Sequence, residues 1–306
     1  MSETYYNADT KMHNGFPRIR KLGAVSPYGE STPFVWNGRL MRLELVDTSR
    51  GVDSDEKAYA IIRDRESGEI LSCFGHGCYY YSFYQENGTA YVLGTKSDDG
   101  GLCGHSIMVF ESRDLKEWTS RTLVSRDGWK FFNSSLTKGP DGYVLLLEFA
   151  PPHFNYTFAV SKDMKDWTFL SDEYTFGKGR YVGGPWMRYS NGYYYVISVE
   201  ALPAQRYTNY IYRSTDLLNW QAGHYNPLLM PSEEDRKISP YAYDIDEELL
   251  LAIRTGYISS NSDVDMCEYN GKTLITYNAG NQLGFYYLAE AEYDGSEAEF
   301  LEANFN

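Results

Sequence analysis

The pattern Ser-x-Asp-(Leu/Met)-x-x-Trp occurs three times, at residues 112–118, 161–167 and 214–220, and it constrains the fold more than any other feature of the chain. Its aspartates, Asp114, Asp163 and Asp216, lie 49 and then 53 residues apart. That period is too long for a helical hairpin repeat and suits one four-stranded blade of a β-propeller. In each copy Ser and Asp can accept from nearby backbone N–H groups and fix a turn, while Leu or Met and Trp pack on the blade's flank. The motif is architectural and carries no chemistry of its own.

Five Xaa-Gly pairs between apolar runs give the blade count independently: Asn37-Gly38, Asn87-Gly88, Asp141-Gly142, Asn191-Gly192 and Asn270-Gly271. Each marks a tight hairpin. The predicted fold is all-β, a five-bladed β-propeller with four-stranded antiparallel blades. Residues 17–306 form one propeller domain behind an N-terminal tail, residues 1–16, and residues 17–25 supply a strand that completes the last blade. Residues 231–245 lack periodicity and read as a long surface loop; residues 296–306 add a short helix or an edge strand.

A formal net charge of −14 argues against nucleic acid and anionic membranes, whose affinity comes from Lys and Arg meeting phosphate. A neutral or cationic ligand fits better, and an aromatic content of 16%, with 29 Tyr and 6 Trp, suits stacking on sugar faces as well as strands. No hydrophobic run is long enough to cross a bilayer, and the polar N-terminus lacks the apolar core of a signal peptide, so a cytoplasmic protein is expected. The four cysteines show neither a CxxC pair nor zinc-like spacing. No G-x-S-x-G, HExxH or phosphate loop is present.

In a propeller the innermost strand of each blade begins, and the second strand ends, on one face of the disc. Counting eight back from each hairpin glycine gives Glu30, Tyr80, Ser134, Gly184 and Asp263; counting six forward gives Glu44, Gly94, Glu148, Ser198 and Tyr277, with Glu200 two residues beyond Ser198. Glu148 and Glu200 end apolar strands, where burial raises a carboxyl pKa as a general acid requires. In Ser262-Asp263-Val264-Asp265, alternation puts both aspartates on one side of the strand, able to hold a proton, orient a base or bind a cation. Asn133, Arg180, Trp186, Arg188, Asn281 and Gln282 lie around these positions and suit sugar hydroxyls and ring faces. His76 borders the second blade's loops, with an ordinary hydrogen-bonding role weighed above metal ligation.

With these residues in hand the chain resembles the five-bladed propeller glycosidases, the group that includes glycoside hydrolase families 43, 32 and 117. The resemblance rests on the three motif copies, on Gly183-Gly184-Pro185 ahead of the hairpin Asn191-Gly192-Tyr193-Tyr194-Tyr195, and on Ser262-Asp263-Val264-Asp265-Met266 ahead of Tyr269-Asn270-Gly271-Lys272. It implies three central carboxylates serving as base or nucleophile, acid, and orienter. Two departures stand out. Where family 43 has Asp before Pro in the first blade, this chain has Ser31-Thr32-Pro33 with Glu30 nearby; where the general acid Glu precedes Gly-Pro in the fourth, it has Gly183.

The expectation is a glycosidase acting from the chain end on a small oligosaccharide, inverting, with Glu200 as leading acid, Asp263 or Asp265 as base, and Glu148 as second acid candidate or orienter. Glu30 and Glu44 shape the pocket, and His76, Asn133, Arg180, Trp186, Arg188, Asn281 and Gln282 contact the carbohydrate. No cofactor is expected beyond a structural or site-organising divalent cation. The rivals are a sugar phosphorylase, which needs cations such as Arg180, Arg188, Arg206 or Lys96 in the pocket, a carbohydrate-binding propeller without catalysis, and a protein-interaction platform.

Overall fold

The computed structural model describes residues 12–13, 16–47, 58–98, 101–151, 153–281 and 283–306. Five four-stranded antiparallel sheets stand in a ring as the blades of a propeller. Blade one is Ser31–Trp36, Arg39–Asp47, Ala58–Asp64 and Ile70–Phe74, from the channel outward. Blade two is Cys78–Glu86, Thr89–Lys96, Ser106–Ser112 and Thr119–Ser125. Blade three is Lys130–Gly139, Gly142–Ala150, Asn155–Ser161 and Thr168–Phe169. Blade four is Val182–Ser190, Tyr193–Leu202, Arg206–Ser214 and Gln221–Ala222. Blade five is Ser260–Tyr269, Lys272–Gly280 and Tyr286–Tyr293, and its outer strand is Ile19–Ser26, from the opposite end of the chain. The expected closing strand is therefore present.

The core is distributed over the interfaces between blades. The repeated tryptophans show how: Trp118 of blade two stacks on Phe74 of blade one at 4.0 Å, and Trp220 of blade four lies 6.0 Å from Phe158 and 5.3 Å from Phe176 of the preceding blade region. Each motif aspartate ties its turn as the sequence suggests. Asp163 Oδ1 accepts from the N–H groups of Lys165 at 2.8 Å and Asp166 at 3.0 Å, and its carboxyl is held below the usual range by those bonds. Leu115, Met164 and Leu217 take φ of +61° to +64°, uncommon for side chains of this bulk. Their burial between blades and the aspartate bonds hold them there.

Closure between blades five and one relies on charge as much as on apolar contact. The apolar cluster there is small, Leu40, Cys267 and Leu274. Nearby, Arg42 Nε donates to Glu44 at 2.9 Å, Arg63 lies 3.4 Å from Glu44, and Arg65 pairs with Glu290 at 2.8 Å, all almost wholly enclosed. Residues 231–245 lie mostly at the surface, as expected of a loop, but are anchored at Asp235. They contain the 3-10 turn Glu233–Arg236, whose Asp235 is completely buried. Lys21 Nζ of the closing strand donates to Asp235 at 2.8 Å, Asn261 at 2.9 Å and the Met230 carbonyl at 2.7 Å, and Tyr277 donates to Asp235 at 2.7 Å. The segment thus clamps the closing strand. A helix, Glu247–Thr255, follows it, and the C-terminal helix spans Glu297–Ala303.

Blade three corrects one hairpin. Gly139 pairs with Gly142 around Pro140-Asp141, so the glycine belongs to the second strand and not to the turn.

Candidate active site

The innermost strands of blades two to five share one irregularity near their start. Pairing with the second strand breaks between Tyr79 and Ser82, Phe131 and Ser134, Gly183 and Trp186, and Ser262 and Asp265. Each break is a bulge that sets two residues against one and re-aims their side chains. The first bulge residues are Tyr80, Phe132, Gly184 and Asp263, and Glu30 stands at the same level before Ser31 in blade one. Glu30, Tyr80, Gly184 and Asp263 all have positive φ, between +47° and +57°. In blade three the glycine lies one residue past the turn and the innermost strand is one residue longer from bulge to turn, so the equivalent residue there is Phe132, two residues before the expected Ser134.

This ring of bulges brings Glu30, Glu148 and Asp263 together. Glu148 Oε2 accepts from Asn133 Nδ2 at 2.9 Å and from the Gly184 N–H at 3.1 Å. Asp263 Oδ2 accepts from Ser262 Oγ at 2.6 Å and Asn278 Nδ2 at 3.2 Å, and Asn278 Oδ1 accepts from the Glu30 N–H at 3.1 Å. Gly184 lies between two of the carboxylates: a Cβ on it would fall 2.1 Å from Asp263 Oδ1. The missing side chain of Gly183 leaves room that Glu148 enters, since a Cβ there would meet Glu148 Oε1 at 3.1 Å and the Tyr181 hydroxyl at 2.6 Å.

Burial controls the protonation of the three groups. It pushes Glu148 up to about 7, against the bonds from Asn133 and Gly184. It raises Asp263 above the usual carboxylate range, with the Ser262 and Asn278 bonds opposing. Glu30 is raised well above that range by burial and then by the charges of Asp263 and Glu148, and its Oε2 is buried with no hydrogen-bond partner among the described residues. An acid that keeps its proton near neutrality thus stands beside a carboxylate with two donors.

The other expected site residues are placed differently. Glu200 accepts from Arg180 Nε at 3.2 Å and from the Tyr212 hydroxyl, on the flank of blade four. Asp265 accepts from Thr32 Oγ1 and, at 2.8 Å, from the Met266 N–H; burial pushes it up to about 7. It lines the channel's constriction and a cavity of about 320 Å³ toward the hairpin end, where Trp186 and Arg188 also lie, Arg188 paired with Glu297 at 2.8 Å. Glu44 is enclosed in the closure network, paired with the guanidinium groups of Arg42 and Arg63. His76 is exposed in the turn between blades one and two, its ring 5.2 Å from Tyr59. Asn281 braces its own turn by accepting from the Leu283 N–H at 2.9 Å. Gln282 lies outside the described residues.

Two cavities flank the trio. One, of about 370 Å³, is lined by Tyr28, Glu30, Asp47, Asp263, Asn278 and Tyr286 among others. The second, of about 420 Å³, is lined by His153, Phe154, Gly179, Arg180 and Tyr181. A run of neighbouring rings joins them: Tyr79, Tyr80, Phe132, Phe154, Tyr181 and Tyr207, each 4.9 to 6.1 Å from the next. Sequence counting missed Asn278, Phe154 and Tyr181. Asn278 directly follows Tyr277, which the count did reach, but nothing in the string distinguishes it from any other strand residue.

No family model and no curated protein matches the chain. Solved structures do. BT0996, in an RGII complex, shares 16% identity over 91% of this protein and 93% of its own length, with a TM-score of 0.63. An exo-1,5-alpha-L-arabinanase from a bovine ruminal metagenomic library shares 11% over 88% and 93%, with a TM-score of 0.56. The catalytic domain of the family 62 alpha-L-arabinofuranosidase of Coprinopsis cinerea shares 10% over 90% and 96%, with a TM-score of 0.60. At such identities the likeness establishes a common fold, the five-bladed propeller.

Proposed function

We propose that this protein is a glycoside hydrolase in which Glu148 is the general acid and Asp263 the general base. The observation that carries this is the placement of Glu148, whose carboxyl group enters the space left open at Gly183, with burial pushing it up to about 7. The acid that the fourth blade lacks is thus supplied from the third. Glu148 stands beside Tyr181, behind the lining of the 420 Å³ pocket, and gives its proton to the departing oxygen there; Asp263 lines the 370 Å³ pocket and draws a proton from water. Asn133 and Gly184 orient the acid, Ser262 and Asn278 favour the ionised base against its burial, and Glu30 keeps its proton and donates to a sugar hydroxyl. The reaction needs only these carboxyl groups and water.

Glu200, bonded to Arg180 and Tyr212, is assigned to positioning Arg180 and not to proton transfer. The course is taken as inverting, the result expected where acid and base stand roughly 6.5 to 9.5 Å apart. It is read from the anomer of the first-formed product. Hydrolysis is favoured over phosphorolysis because no Lys or Arg stands among the described residues of the pocket that holds Asp263.

The test is turnover of aryl glycosides and short oligosaccharides by wild type and Glu148→Gln. Loss of about 10²- to 10⁴-fold is expected in the variant, smaller for leaving groups that need no proton. Unchanged rates on poor leaving groups would remove Glu148 as the acid; strict phosphate dependence would make the enzyme a phosphorylase.

A further inference from the structure

The two pockets beside the carboxylates differ in charge. The first presents Glu30, Asp47 and Asp263, with no cation among its described lining residues. The second presents Arg180 and His153 with the rings of Phe154 and Tyr181, and no carboxylate is found among its described lining residues. Arg180 is oriented rather than loose: its Nε donates to Glu200, and its guanidinium lies over Phe176 at 4.9 Å and Tyr212 at 5.5 Å. Glu200 is only 13% exposed while Arg180 is 42% exposed, so the cation and not its partner meets the open pocket. A guanidinium fixed in this way is suited to a planar anion.

We propose that the second pocket is a leaving-group subsite for an acidic sugar, so that the substrate is a neutral glycosyl residue joined to a uronic acid. This rests on the glycosidase reading above and adds the chemical class of its substrate. The ring of the uronate packs on Phe154 and Tyr181, and its carboxylate meets Arg180. The reverse order is disfavoured, because a uronate in the first pocket would face the carboxyl groups of Asp47 and Asp263. The run of rings from Tyr79 to Tyr207 provides an apolar path between the two sugar positions.

The experiment measures binding without turnover. Galacturonate and galactose, its carboxyl-reduced counterpart, are titrated calorimetrically into wild type, Arg180→Gln and Arg180→Lys, at low and raised salt. Wild type is expected to hold the acidic sugar about tenfold more tightly, one charge-assisted bond in effect. The preference should shrink with salt, vanish in Arg180→Gln and largely persist in Arg180→Lys. Equal binding of the two sugars, or a preference untouched by Arg180→Gln, overturns the proposal. So does displacement of the acidic sugar by an equal concentration of inorganic phosphate, which assigns the site to a free anion. Because no bond is cleaved in this assay, a protein without glycosidase activity that still prefers the acidic sugar refutes only the hydrolase reading; an active enzyme without the preference refutes only this subsite.

Discussion

At the scale of single residues, the site depends on Gly184. Its φ of +51° is strained for any side chain, and a Cβ would press on Asp263 at 2.1 Å. Gly184→Ala is therefore expected to displace the base and lower kcat by roughly 10²-fold, the usual consequence of an ångström-scale misplacement. A steady-state assay beside a circular dichroism spectrum checks this; full activity would remove Asp263 from the reaction. Glu148 gives a pH prediction. Its folded pKa, about 7, is above the unfolded value near 4.5. The sign follows: ionisation favours the unfolded chain, so stability falls as pH rises from about 4.5 to about 7 and then levels. The contribution is on the order of 3 kcal/mol. Glu148→Gln should flatten that slope in thermal melts and abolish the alkaline limb of the rate profile near pH 7. An unaltered limb would assign it to another group.

At the scale of elements, the turns and the clamp make different demands. Asp163→Ala removes two N–H bonds from a turn in which Met164 has φ of +61°. A loss of about 1 to 2 kcal/mol is expected by urea unfolding, without effect on the site. Lys21→Met is more severe, because it leaves Asp235 buried without its cation. Roughly 3 to 5 kcal/mol should be lost, and a double Lys21→Met, Asp235→Leu variant should recover part of it. A Lys21→Met protein as stable as wild type would show that the clamp contributes nothing. These elements were unequally legible. The motif turns could be read because their bonds are local, between residues two or three apart. The role of residues 231–245 could not, since Lys21 and Asp235 are distant in sequence and meet only when blade five closes.

At the scale of the whole molecule, closure joins the two ends of the propeller. The strand Ile19–Ser26 completes blade five and covers Tyr286–Tyr293. A protein beginning at Pro27 should expose that edge, lose cooperative unfolding and self-associate; light scattering and a urea transition measure both, and a monomer with an unchanged midpoint would argue against closure as a source of stability.

The blade count, the closing strand and the level at which carboxylates cluster are all written in the order of residues, because a repeat of turns and hairpins is local and returns at a near-constant period. Counting from hairpins also reaches Glu148, Asp263 and Glu30. Which of the counted residues meet is a property of the folded blades. Bulges at the start of four innermost strands shift side chains by a residue, one hairpin is displaced in blade three, and Glu44 and Glu200 are claimed as ion-pair members. A spacing rule follows the backbone along one strand, whereas burial, charge and the space left at Gly183 belong to several strands at once.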